Sequence, residues 1–224
     1  MKRFFILSLL ILCWEISEAQ LFKIAGHEIG FVYLGPKVGT TFSKITNLDL
    51  SGLESNFRIG YQVGAVGEIG LTSKLSFQSE VVFTSKGIQN ANSSLRMNYI
   101  SIPLLAKLSF NFLGLSNVYA TGGTYNNVKT NARFVFNDYG ESVSEQYNVF
   151  DWGLSVGAGA AYDTKYGLLA LDLRYDFGIT EIDKASHSDG VRNTNQSLGV
   201  ALTFKYDAVD LFMRLRKKRL NPDA

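Results

Sequence analysis

The residues able to do chemistry are few in kind, and they bound what this chain can catalyse. There are two histidines, His27 and His187, far apart in the sequence, so no histidine cluster with metal-ligand spacing exists. The single cysteine, Cys13, lies in an N-terminal apolar run. If that run is removed, thiol catalysis and zinc–thiolate sites have nothing to rest on. His187 stands in Ser186-His187-Ser188-Asp189, a composition that suits a loop better than a nucleophilic triad. Gly157 and Gly159 fall inside an alternating stretch with no helix after them, so they form no dinucleotide fingerprint. The reading is a non-enzyme: no catalytic, cofactor-binding or metal-binding residue is assigned.

What remains is a set of charges placed at alternate positions among apolar residues: Lys37, Arg58, Glu68, Glu80, Lys86, Lys107, Asp151, Asp172, Arg174 and Asp176. Charges so placed share one face of extended strands, and that raises the question of which elements carry them. The chain has 224 residues, 46% hydrophobic, 13% aromatic and 19% charged. That aromatic content excludes intrinsic disorder, and the absence of an internal apolar run near ~20 residues excludes a polytopic helical membrane protein. A net charge of +2 is too balanced for a dedicated nucleic-acid binder.

Met1-Lys2-Arg3, the apolar run Phe4 to Trp14, and small residues at Ser17 and Ala19 before Gln20 predict a cleaved secretory signal over 1–19. Leu12 before Cys13 does not suit a lipoprotein signal.

Beyond the signal, eight stretches alternate with period two: 31–43, 57–71, 74–86, 98–110, 117–129, 148–162, 166–180 and 196–206. They are longer than the ~5–6 residues usual for soluble strands and suit tilted spans of a bilayer. Connections at 72–73, 111–116 and 163–165 are short. Those at 44–56, 87–97, 130–147 and 181–195 are longer and polar, the asymmetry expected of periplasmic turns and outer loops with both termini periplasmic. Aromatics fall into two rims: Phe42, Phe57, Tyr61, Phe83, Phe150, Trp152, Tyr175 and Phe177 outside, and Phe77, Phe110, Tyr162, Phe204 and Tyr206 on the periplasmic side. The predicted fold is all-β, an eight-stranded antiparallel up-and-down transmembrane barrel of OmpA/OmpX-like type over 20–206, in the cell outer membrane.

Eight strands leave an interior that their own side chains fill. The inward charges should pair, and inward glycines (Gly35, Gly39, Gly60, Gly64, Gly153, Gly157, Gly159) relieve crowding. A filled lumen and a polar conduit for small solutes both fit this pattern. A soluble lipocalin-like ligand-binding barrel requires the apolar set to point inward instead.

Several segments resemble a known family. They are Gly35-Pro36-Lys37-Val38-Gly39, Ser79-Glu80 with Ser85-Lys86-Gly87, and Asn98-Tyr99-Ile100-Ser101-Ile102-Pro103-Leu104-Leu105-Ala106-Lys107. Asp151-Trp152-Gly153 with Gly157-Ala158-Gly159, and Leu173-Arg174-Tyr175 with Gly178, complete the set. In this order they are similar to the PorT-type outer-membrane β-barrels of the Bacteroidetes, over about residues 30–206. Ser101 stands where that family usually has Glu. The resemblance implies an outer-membrane barrel, in most members without an assigned activity; the founding member is tied to type IX protein secretion.

Ser197, Gly199, Leu202 and Phe204 match the spacing of the signal read by the outer-membrane insertion machinery. The tail, 207–224, holds five basic residues (Arg214, Arg216, Lys217, Lys218, Arg219) against three acidic. Ala208, Leu211, Phe212 and Leu215 have helical spacing, so the tail reads as a periplasmic basic amphipathic segment. It would meet anionic lipid, peptidoglycan or a periplasmic protein, or else stay solvated. Glu181, Asp183 and Asp189 offer oxygen ligands for a divalent cation bridging lipopolysaccharide. The functional expectation is a non-catalytic envelope barrel with a structural or accessory role, in contact with outer-membrane lipid and lipopolysaccharide and with no nucleic-acid partner. The alternatives are a narrow transport protein or a type IX accessory component, and the soluble ligand-binding barrel.

Overall fold

In the computed structural model the described residues are 23–24, 27–28, 31–46, 56–90, 92–112, 115–137, 139–184 and 192–209. The predicted signal over 1–19 and most of the tail lie outside them. A two-residue antiparallel pair joins Lys23–Ile24 to His27–Glu28. The strands that follow are β1 (Val32–Ile45), β2 (Asn56–Gly70), β3 (Leu75–Gln89), β4 (Ser93–Ser101) and β5 (Leu104–Phe112). After them come β6 (Leu115–Phe136), β7 (Tyr139–Ser142), β8 (Phe150–Thr164), β9 (Gly167–Gly178) and β10 (Asn195–Asp207).

Each strand pairs antiparallel with its neighbour, and β10 returns to β1 with Leu202 opposite Val38, so the sheet closes on itself. β4 and β5 form one wall of the barrel. Pro103 has no N–H to give the ladder, which interrupts the strand at Ile102-Pro103. Pairing nevertheless continues through the gap: Ile102 donates to the Asn126 carbonyl at 2.7 Å, and Glu80 donates to the Pro103 carbonyl at 3.2 Å. Counting that wall once, and leaving out β7, which pairs only with β6, gives a ring of eight.

Alternation decides which face each residue takes. Leu34, Val38, Ile59, Val63, Val81, Leu108, Leu154, Leu171 and Leu202 point out and are exposed, while Lys37, Glu68, Glu80, Lys107, Asp151 and Asp172 point in and are buried. The apolar set faces outward, opposite to what a lipocalin-like interior needs. The aromatic rims face outward too, with Tyr175 edge-on to Phe177 at 4.5 Å and Phe204 edge-on to Tyr206 at 4.7 Å.

Two stretches expected as loops, 87–97 and 130–147, are largely strand. β3 runs on to Gln89, turns within a few residues and returns as β4, while β6 reaches Phe136 and turns into β7. The physical reason is an inversion of polarity. Below the rim the outward face is apolar. Above it the inward residues Ile88, Leu95, Met97 and Ala132 are apolar and fully buried, while Arg96, Asn131 and Arg133 face out. A register shift at Asn98/Tyr99 accompanies the change. The alternation persists, but its sign reverses, as suits a sheet that leaves lipid for water.

Candidate functional site

The interior is the place where titratable side chains converge, and it is organised in tiers from the periplasmic end outward. In the first tier Glu68 on β2 accepts from Lys107 on β5 at 3.1 Å, from Lys205 on β10 at 2.6 Å and from Ser76 at 2.7 Å. In the second, Glu80 on β3 lies between Lys37 on β1, 2.9 Å away, and Arg174 on β9, whose Nη1 donates at 3.0 Å. Gln78 joins the two tiers, donating to Glu80 at 2.7 Å and accepting from Lys205 at 3.0 Å. Buried charges persist only when paired and hydrogen-bonded in this way.

Nearer the outside, Asp176 accepts from Lys86 at 2.8 Å, Ser155 at 2.8 Å and Ser197 at 3.0 Å. Asp151 takes Tyr125, Asn127 and Asn195 as donors at 2.8–3.1 Å. On the periplasmic side of Arg174, Asp172 takes Tyr119 at 2.8 Å and Thr203 at 3.0 Å. Arg58 donates to Ser85 and to the Lys86 carbonyl.

Two units in this lumen have the same build. Tyr119 is the direct cross-strand partner of Gly159, and Tyr125 of Gly153. Each ring occupies the space over its glycine, and a side chain added there would meet Tyr119 at 2.4 Å or Tyr125 at 2.8 Å. Each phenol donates to an aspartate, and each ring carries a lysine ammonium, Lys107 at 4.0 Å and Lys86 at 4.6 Å from the centroid.

What remains open between the tiers is small. A cavity of about 30 Å³ is lined by Lys37, Thr84, Glu80 and Arg174 among others, enough for a water or two. Thr84 Oγ1 and Arg174 Nε border it without a protein partner.

The outer end is closed by an apolar cluster of Ile45, Ile88, Leu95, Met97, Tyr99, Ala132, Val143 and Ile182, with Phe134 and Tyr147 packed against it. Val143 and Ile182 come from connecting segments that the barrel straps down. Lys129 donates to the carbonyls of Ser144 and Tyr147, Asn148 donates through its backbone to Ile182, and Tyr147 bridges Asp183. The Tyr147 phenol is pushed up to about 12 by burial and by the nearby Asp183 charge. At the periplasmic end a cavity of about 150 Å³ opens between Tyr33, Glu68, Ser76, Lys107 and Tyr119.

Every inward charge expected from the sequence lies in this lumen. Lys205, Gln78, Asn127, Asn195 and the three buried tyrosines complete the network. Asn195 falls in the stretch 181–195 expected as a loop; the inward position of the others was readable from alternation, but nothing in the sequence marked any of them as partners. The acidic trio does not assemble among the described residues: Asp183 accepts from Asn193 at 2.6 Å, and Asp189 lies outside them, as does His187. His27 belongs to the short pair preceding β1.

A family profile described as an outer membrane protein beta-barrel domain matches residues 19–184. Among solved structures, neisserial surface protein A is similar at 14% identity with a TM-score of 0.50, covering 79% of this chain and 96% of that one. OprG of Pseudomonas aeruginosa matches at 14% identity and a TM-score of 0.45, covering 83% and 100%. Ail of Yersinia pestis matches at 12% and 0.44, covering 78% and 98%. No curated protein matches the chain significantly.

Proposed function

Because this chain belongs to the outer membrane protein β-barrel domain family, we propose that it is a non-catalytic barrel with a structural or accessory role in the cell envelope. Its extramembrane sheet, loops and tail are the interaction surfaces. The observation that carries this reading is the filled interior: paired charges bridge opposite walls and an apolar cluster closes the outer end. A lumen so filled with paired side chains argues against a transport role. The test is conductance of the purified protein in a planar bilayer. A silent bilayer is expected, and steps of steady conductance would move the assignment to transport.

The chain is organised as a cleaved signal over 1–19, the barrel over 20–206 and a periplasmic basic tail over 207–224, with both termini periplasmic. Supporting the tail, Ala208 and Val209 are helical and the Asp207 carboxylate accepts the Val209 N–H at 2.9 Å, as an N-cap does. The partners are lipopolysaccharide and the insertion machinery, with peptidoglycan or a periplasmic protein at the tail. The PorT-type resemblance makes a Bacteroidetes envelope the setting. N-terminal sequencing of the mature protein and protease accessibility of the tail in spheroplasts test these assignments.

A further inference from the structure

The outermost lipid-facing rung beside β4 and β6 consists of Phe83, Ile100, Val128 and Phe150, aligned across four neighbouring strands. Ile100 and Phe150 are exposed on it. Beyond that rung the outward face turns polar, and Arg96 on β4 stands directly opposite Arg133 on β6. Four residues of tilted strand place this pair about 10 Å beyond the rung. That is the level of headgroups, above the acyl chains.

Like charges directly opposite each other across two strands repel, and among the described residues no carboxylate pairs with either arginine. The nearest acid on the adjoining strand, Glu141, is opposite Phe134 and so belongs to the other face of the sheet. Arg133 lies over Gly140, where an added side chain would come within 3.0 Å of its Nε, so the glycine leaves room for that guanidinium.

We propose that Arg96 and Arg133 hold a phosphate group on the headgroup of an outer-leaflet glycolipid. Guanidinium forks match phosphate oxygens in charge and geometry, and a phosphate between the pair converts a repulsion into two charge-assisted contacts. The height above the apolar rung selects the lipid as its source. This inference rests on the outer-membrane reading above and adds a binding site to it.

The test titrates the full chain, folded in detergent micelles, with diphosphoryl lipid A and in parallel with lipid A stripped of its phosphates. Retention of the phosphorylated lipid should fall at least about tenfold in the R96Q/R133Q variant. The stripped lipid should be held equally weakly by both proteins. Equal retention of the phosphorylated lipid by variant and wild type overturns the site. So does wild-type protein that holds both lipids alike, a comparison that needs no variant to fold. Glucosamine phosphate bound as tightly as lipid A would overturn the lipid as the source. Gel mobility with and without heating, run on the same samples, separates the two levels: a wild-type chain with no heat-dependent shift removes the membrane reading itself, whereas a shift without lipid retention removes only the site.

Discussion

Tyr119 and Gly159 are direct partners across β6 and β8, and the ring fills the volume that any side chain at 159 would need. The same ring donates to Asp172 and carries the Lys107 ammonium, so its position determines whether three groups are satisfied. Gly159→Val should displace the ring and cost about 1–3 kcal/mol through overpacking alone. Urea unfolding in lipid vesicles measures it. An unchanged midpoint would show that the ring has room to move.

Glu80 is the only carboxylate that Lys37 and Arg174 contact among the described residues. Glu80→Gln leaves two buried cations facing a neutral amide, a loss on the order of 3–5 kcal/mol. Adding Lys37→Met should recover part of that loss, because one unpaired charge is gone. A double variant less stable than Glu80→Gln alone would contradict the pairing.

Leu171 projects into the lipid band from the middle of β9. Leu171→Arg should cost about 2–4 kcal/mol in membrane stability, and the heat-sensitive band should fall in the outer-membrane fraction. Normal insertion of this variant would mean that the apolar face does not meet lipid.

The period-two pattern made the eight walls and the inward charges legible, because Lys37, Glu80 and Arg174 each interrupt an apolar alternation. It did not say that these three meet. Which inward residues are at one level depends on the stagger of the walls around the barrel, a property of closure that no single strand encodes. The extramembrane sheet was hidden for a different reason. Ile88, Leu95, Met97 and Ala132 alternate with polar neighbours as faithfully as the lipid-facing residues do, but with the apolar side turned inward. Val143 and Ile182 are isolated apolar residues within polar stretches, and only the assembled cap gives them a purpose.

Lys129 holds the segment around 144–147 through two carbonyls. Lys129→Met removes both donors while keeping the aliphatic stem. Hydrogen exchange of residues 143–149 should accelerate by about tenfold or more, with the barrel walls unaffected. Uniform acceleration across the whole chain would mean that the strap and the barrel open together.

Tyr147 has its phenol pushed up to about 12, first by burial and then by Asp183. A raised value means that the folded state favours the protonated phenol. Its contribution is complete below pH 10 and is lost as the pH climbs from 10 towards 12. Tyrosinate absorbance, compared with Tyr147→Phe, should assign one late-titrating phenol to this residue. An ordinary titration near pH 10 would contradict its burial.

The interior ion pairs join strands far apart in the chain: Glu68 on β2 reaches Lys205 on β10, and Glu80 on β3 reaches Arg174 on β9. A nascent chain that has made its early walls but not its last two holds Glu68 with Lys107 and Glu80 with Lys37, but each carboxylate lacks its second cation and keeps water in that place until the final strands arrive. Moving such a half-built sheet into lipid would strip that water before Lys205 and Arg174 could replace it. Biogenesis is therefore biased toward late, concerted closure, in which the C-terminal strand supplies the seam with β1 and the second lysine on Glu68 in one event. Truncation before β10 should stall the chain at the assembly stage instead of producing a smaller barrel.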